Sequence, residues 1–170
     1  RISRDSSVYV CVPHLSVGLA SSAVKDEMRR LLFELQIKFK IDRPVVWYYT
    51  PMALDYARDL TSSAIVFDCM DELSAFHGAP PELLKHEAEL LNRADLVFTG
   101  GQSLYEAKRE RHRRVSAFPS SVDVPHFLSA RQDKIDPDDQ ANIPRPRLGF
   151  FGVVDERMDL NLLDAIATAR

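Results

Sequence analysis

Six short apolar, β-rich runs constrain this chain most: Val8 to Val12, Val45 to Tyr49, Ala64 to Phe67, Leu96 to Thr99, Val115 to Phe118 and Leu148 to Phe151. They are continuous rather than alternating, the pattern of strands buried on both faces, and such strands belong to parallel sheets covered by helices. Helical patterns lie between most of them. Val24, Met28, Leu31, Leu32, Leu35 and Phe39 form one stripe at helical spacing. Ser21 and Ser22 precede it as caps, and Asp26 and Glu27 lie toward the positive end. Thr50 before Pro51 reads as a cap with proline at the first helical position, opening a short helix through Leu60. Pro80 and Pro81 open another, with Leu83, Leu84, Leu90 and Leu91 on its apolar side. Ser103 and Glu106 have capping-box spacing. Strand, helix, strand repeated in this way predicts an α/β fold, a three-layer Rossmann-like parallel sheet.

Between Arg131 and Pro146 the composition shifts to Asp and Pro, which reads as a linker. The expected organisation is one domain over 1–130, a linker over 131–146, and a lone strand and helix over 147–170, too little to form a domain. The chain starts without methionine and stops inside a helical pattern, so it is expected to be a piece of a longer protein. The 22 Lys and Arg against 25 Asp and Glu leave a net charge of -3, so no overall field draws nucleic acid. Cys11 and Cys69 each sit in an apolar run, as reduced, buried thiols of a cytosolic protein would. No stretch approaches the ~20 apolar residues of a membrane span.

In open α/β sheets ligands bind at the carboxyl ends of the strands, so the residues after each run are the candidates. They are Thr50, the acidic group Asp68, Asp71 and Glu72, and Gly100-Gly101 with Ser103. Paired carboxylates at a strand end can bind a metal, act as a base, or cap the next helix. Gly100-Gly101 is neither a phosphate-binding loop nor a dinucleotide fingerprint, and no GxGxxG follows a strand, which disfavours a nicotinamide dehydrogenase. The run KRERHRR, residues 108–114, has the charge to touch anionic lipid head groups, but its plainer reading is a solvated helix end. Trp47, Tyr48 and Tyr49 read as core. His14 follows the first strand, where it would face the cleft.

The segment NRADLVFTGGQSLYEAKRERHRRVSAFPSSVDVPHF resembles a stretch of the two-domain nucleotide-sugar glycosyltransferases of the GT-B fold, family 4-like, in their bacterial branch. Ala94, Asp95, Ser103, Leu104, Pro119, Val122, Asp123 and Phe127 carry the match. RPRLGFFGVVDERMDLNLLDAIA is similar to the first strand and helix of that fold's donor-binding domain. The resemblance implies a fragment of an enzyme that transfers a hexose from a nucleotide diphosphate sugar to an acceptor hydroxyl in polysaccharide or glycoconjugate synthesis. It implies Asp71 and Glu72 as catalytic carboxylates, Thr50, Gly100, Gly101 and Ser103 as acceptor-binding residues, and Gly152 and Arg157 at the donor diphosphate. Val153 stands where many relatives carry an arginine for that diphosphate, and Ser120-Ser121 where they carry Asn-Gly. The implied partners are a nucleotide sugar as co-substrate and a glycan or lipid-linked acceptor, with no other cofactor, no metal and no nucleic acid. The implied location is cytoplasmic, with peripheral contact on the inner face of the membrane, and the fragment is expected to be inactive alone and open to self-association. Two rivals come from other classes: a noncatalytic sugar- or partner-binding module, and a receiver-like domain phosphorylated at Asp68.

Overall fold

The computed structural model describes residues 2–5, 8–131, 136–155 and 158–169. Two compact units divide the chain, Arg1–Ser120 and Ser121–Arg170. The division by contacts thus precedes the compositional change at Arg131.

In the first unit β1 (Ile2–Asp5) and β2 (Val8–Cys11) pair antiparallel, Ile2 opposite Cys11 and Asp5 opposite Val8. The first apolar run is therefore half of a hairpin and not part of the parallel sheet. Only residues 6 and 7 separate the two segments, and a connection that short joins antiparallel neighbours. Cys11 is exposed as a result, against the expectation of a buried thiol. Helix α1 (Ser21–Phe39) follows, and its expected stripe is only half-buried along its whole length. Its cap is Ala20, with no side-chain bond, so Ser21 and Ser22 are helical residues rather than caps. Asp26 and Glu27 pair along the helix with Arg29 and Arg30. The helix ends at Lys40, whose φ of 52° lets its amide reach back to the carbonyls of Gln36 and Ile37.

Four strands then form a parallel sheet in chain order: β3 (Val45–Tyr48), β4 (Ala64–Cys69), β5 (Leu96–Thr99) and β6 (Val115–Ala117). Each is joined to the next through helix. Thr50 caps a 3₁₀ turn, Pro51–Ala53, by accepting from the Met52 amide at 3.3 Å, and α2 (Leu54–Ala57) continues it. Next come α3 (Leu83–Arg93) and α4 (Gln102–Lys108). The core joins Tyr48, Phe67, Cys69 and Val97 of the sheet to Leu54 and Ala57 of α2 and Leu90 and Leu91 of α3. The chain is thus α/β, with a four-stranded parallel sheet flanked by helices.

The sheet residues that alternate with this buried set are more open: Val45 is 57%, Trp47 46%, Leu96 38% and Phe118 61% exposed, with Val66 the buried one among them. Continuous apolar runs had implied burial on both faces. Here the core lies against one face, and of the aromatic triplet only Tyr48 belongs to it. Leu84, expected on the apolar side of α3, is also exposed.

In the second unit α5 (Val124–Leu128) and α6 (Leu160–Thr168) are capped by the carboxylates of Asp123 and Asp159, which accept from the amides of His126 and Leu162. Leu148–Phe151 is not a strand, and Phe151 is 94% exposed. A parallel strand needs a neighbour for its amides, and none occurs among the described residues of this unit. No helix among the described residues is long and apolar enough to cross a membrane.

Candidate functional site

The carboxyl end of the sheet brings two loops together. Cys69 ends β4 with its carbonyl accepting from the Gly100 amide at 3.0 Å. Gly100, at the end of β5, lies so close to the following residue that a Cβ on it would stand 2.5 Å from the Met70 carbonyl oxygen. Glycine is required there because any side chain would push the 70–72 loop off its seat. Gly101 has open space where its Cβ would be and caps α4 with extended backbone. Helix α4 therefore starts at Gln102. Ser103 lies within its first turn, exposed, rather than capping it. Glu106 accepts from Gln102 at 2.8 Å instead of reaching back to a serine cap.

The two carboxylates of the 70–72 loop have different fates. The Asp71 carboxylate is exposed and has no partner among the described residues; only its backbone carbonyl is engaged, by the Cys69 thiol at 3.6 Å. Glu72 turns inward. One of its oxygens accepts from Ser74 at 2.7 Å and the other from the Lys108 ammonium at 2.8 Å. Lys108 is 3% exposed and also donates to both oxygens of Glu87 at 2.9 Å, while Arg111 donates to Glu87 at 2.8 Å. The four groups form a neutral cluster, which is what allows ionised side chains to leave water. Burial raises the Glu72 carboxyl, but the hydrogen bonds from Lys108 and Ser74 outweigh it and hold the group below the ordinary carboxylate range. Burial likewise opposes the Lys108 charge, and the bonds to Glu72 and Glu87 overcome it, keeping Lys108 above the ordinary lysine value. Cys69 lacks such bonding to its thiolate, and burial pushes its thiol up to about 11.

Thr50, Asp71, Glu72, Gly100, Gly101 and Ser103 thus all lie at the carboxyl ends of three successive parallel strands. Thr50 spends its hydroxyl on its cap. Gly152 belongs to the second unit, where its φ of 146° is one that only glycine adopts freely. Arg157 lies outside the described residues. Asp68 points to the open face of the sheet, where its carboxylate accepts from the Trp47 indole at 3.0 Å. His14 lines a cavity of about 740 Å³ with Pro13, Met28, Leu31 and Leu35 of the α1 region, away from the strand ends. It is displaced there because the first run is a hairpin strand.

Sequence patterns overlooked the ionic cluster. KRERHRR is not simply a solvated helix end, since its first residue is buried. The signal was Glu87, which stands between Leu83 and Leu90 on the buried side of α3; a carboxylate in an apolar stripe must have a cation. His86 was also missed. It is buried, with Nε2 3.4 Å from Asp55 and Nδ1 without a partner among the described residues.

A cavity beneath the 70–72 loop, lined by Tyr49, Cys69, Asp71 and Glu87 among others, has a volume of only about 10 Å³. That admits no more than one water, so a ligand of the strand ends would lie over the loops. No group of three or more His, Cys, Asp or Glu able to hold a metal occurs among the described residues. No family model matches the chain, and no curated protein or solved structure does.

Proposed function

We propose that the first unit is the acceptor-side half of a GT-B glycosyltransferase, which moves a hexose from a nucleotide diphosphate sugar to an acceptor hydroxyl. One observation carries the reading. Asp71 offers an exposed carboxylate, unpaired among the described residues, just past the carboxyl end of β4, and Gly101, with open space at its Cβ position, follows the neighbouring strand β5. An acceptor lying over these loops would donate its hydroxyl to Asp71.

In an inverting transfer the acceptor oxygen attacks the anomeric carbon, the bond to the diphosphate breaks with its electron pair leaving on phosphate, and Asp71 takes the hydroxyl proton. In a retaining transfer the same carboxylate orients the acceptor. Glu72 is assigned a different task from the one its resemblance implies. Tied to Lys108 and Ser74, it stays ionised and fixes the loop that presents Asp71. Neutralising the departing diphosphate falls to the donor side. A noncatalytic sugar-binding module is the second reading, favoured by the presence of one free carboxylate rather than two.

The test has two arms. Titrating this chain with simple glycosides should shift the amide resonances of residues 70–72 and 100–103, and nucleotide diphosphate sugars should leave them unmoved. In the enzyme with its complete donor domain, Asp71→Asn should lower turnover about 10²- to 10⁴-fold and Glu72→Gln should act chiefly on stability. Hexose transfer should survive chelator, because Asp68-Cys69-Met70-Asp71 lacks the spacing of a metal-holding acidic pair. Micromolar binding of nucleotide sugars at the 70–72 loop would defeat the acceptor-side assignment, and normal turnover in Asp71→Asn would favour the binding module.

A further inference from the structure

The cavity of about 740 Å³ that His14 lines lies between α1, residues 11–14 at the end of β2, and Tyr56 of α2. The helix contributes Met28, Leu31, Leu32 and Leu35 from its apolar stripe, and Lys38 one turn further on. These positions share a face because they recur at three- and four-residue steps, and from Met28 to Lys38 they span about 15 Å of helix. The facing wall is held by Tyr9 of β2, whose ring packs on Phe39 with centroids 4.7 Å apart.

Size and lining both point to a small-molecule site. Close-packed interiors leave few voids larger than a water molecule, whereas ligand sites run to about 300–1,000 Å³, mostly apolar, with a few polar groups that fix orientation. Leucine and methionine walls offer water no hydrogen-bond partners. Met28, Leu31, Leu32 and Leu35 are half-buried rather than buried, and it is this cavity that they border. The polar groups give the ligand its sign. Glu34 is the one acid of the lining, and its carboxylate is held by Arg30, one turn back along the helix. Lys38 has no carboxylate partner among the described residues, and there the Lys38 ammonium, the His14 imidazole and the Tyr56 hydroxyl make no hydrogen bond. Each of the three can donate, and Lys38 adds a full positive charge at one end of an elongated apolar space.

We infer that this cavity binds an aliphatic carboxylate, its chain laid along Leu31 and Leu35 and its head group on Lys38. The chain gains from every methylene it removes from water, and the ammonium supplies a charge-assisted hydrogen bond that selects an anion. A single free cation matches a single negative charge, so a carboxylate suits the site better than a phosphate dianion. The three turns of α1 that line the cavity favour an extended chain over a compact ring. The cavity is separate from the strand-end loops, and the inference does not depend on the proposed reaction.

Calorimetric titration with octanoate, decanoate and dodecanoate is the test. The expected result is one saturable site that holds dodecanoate at micromolar concentration and weakens about fourfold for each methylene lost. The Met28 methyl resonance should move on binding, while that of Met70, in the strand-end loop, stays in place. Lys38 is exposed, so Lys38→Gln should keep the far-ultraviolet helix signal, weaken dodecanoate binding at least fivefold and leave decanol binding unchanged. The absence of saturable dodecanoate binding at about 1 mM, a level at which even weak sites fill, would overturn the inference. So would affinity independent of chain length, decylamine binding as tightly as decanoate, a Met28 methyl that does not move, or dodecanoate binding left intact by Lys38→Gln.

Discussion

Replacing Lys108 by methionine tests whether the buried ionic cluster organises the strand-end loop. The substitution keeps most of the volume and removes the charge. Glu87, with a side chain 7% exposed, then depends on Arg111, whose own side chain is 44% exposed. Breaking a buried ion pair from one side destabilises by about 3–5 kcal/mol. Arg111 remains, so the lower end applies, about 3 kcal/mol, or a fall of roughly 10 °C in Tm for a protein of this size. The double variant Lys108→Met with Glu87→Leu should recover at least half of that loss, because no charge is then stranded in the interior. Glu72 and Arg111 are open enough for water to solvate them. The assay is urea unfolding followed by Trp47 fluorescence, which reads the first unit alone, with equal m-values confirming a common unfolded state. A loss below about 1 kcal/mol for the single variant, or a double variant no more stable than the single one, would refute the reasoning.

Gly100→Ala should destabilise by about 1–3 kcal/mol and abolish glycoside-induced shifts at residues 70–72, whereas Gly101→Ala, with open space around it, should leave unfolding midpoints unchanged. A thiol reagent at pH 8 should modify the exposed Cys11 quickly and Cys69 only after unfolding, since burial holds that thiol at about 11; two fast thiols would contradict the fold at β4. Stability should fall on acidification below the ordinary glutamate value of about 4.3. The Arg58 hydrogen bond is the main cause that lowers Glu89 to about 2, and Glu72 is also depressed. Groups with lowered folded values stabilise above their unfolded pKa and lose that contribution as pH drops through the folded one. Lys108, raised in the fold, has the opposite sign, and its contribution should fade only in strong alkali. A urea midpoint constant from pH 6 to 2 would contradict these assignments.

The parallel sheet was legible because four apolar runs, with helical patterns between them, leave few other arrangements. Thr50-Pro51 and the leucines of α3 are local signals whose meaning does not depend on distant residues. Val8 to Cys11 and Leu148 to Phe151 look the same locally, but a strand's place depends on what pairs with it. Ile2–Asp5 claimed the first run, and the second has no strand partner among the described residues. Among candidate site residues, placement at strand ends followed from topology, and the separation of Asp71 from Glu72 did not. That separation depends on Lys108, 36 residues away in sequence. Capping at α4 failed because Gly100 must hug Met70, which moves the helix start to Gln102 and leaves Ser103 inside the first turn.

Helix α1 has a consequence for how the molecule opens. It runs for 19 residues without one that is fully buried; Lys25 meets Asp55 at 2.9 Å, Arg29 meets the Asp55 carbonyl at 3.1 Å, and a half-buried apolar stripe reaches the core through Leu32. Opening it uncovers half-buried side chains only, in contrast to separating β4 from β5, which unpacks the fully buried Phe67 and Val97. In amide hydrogen exchange the two should form a hierarchy. The α1 amides would exchange as one cooperative block through a low-energy excursion that salt makes easier, while the β4 and β5 amides wait for global unfolding. Such a hierarchy would reveal a rare native form that keeps its sheet and has shed its longest helix.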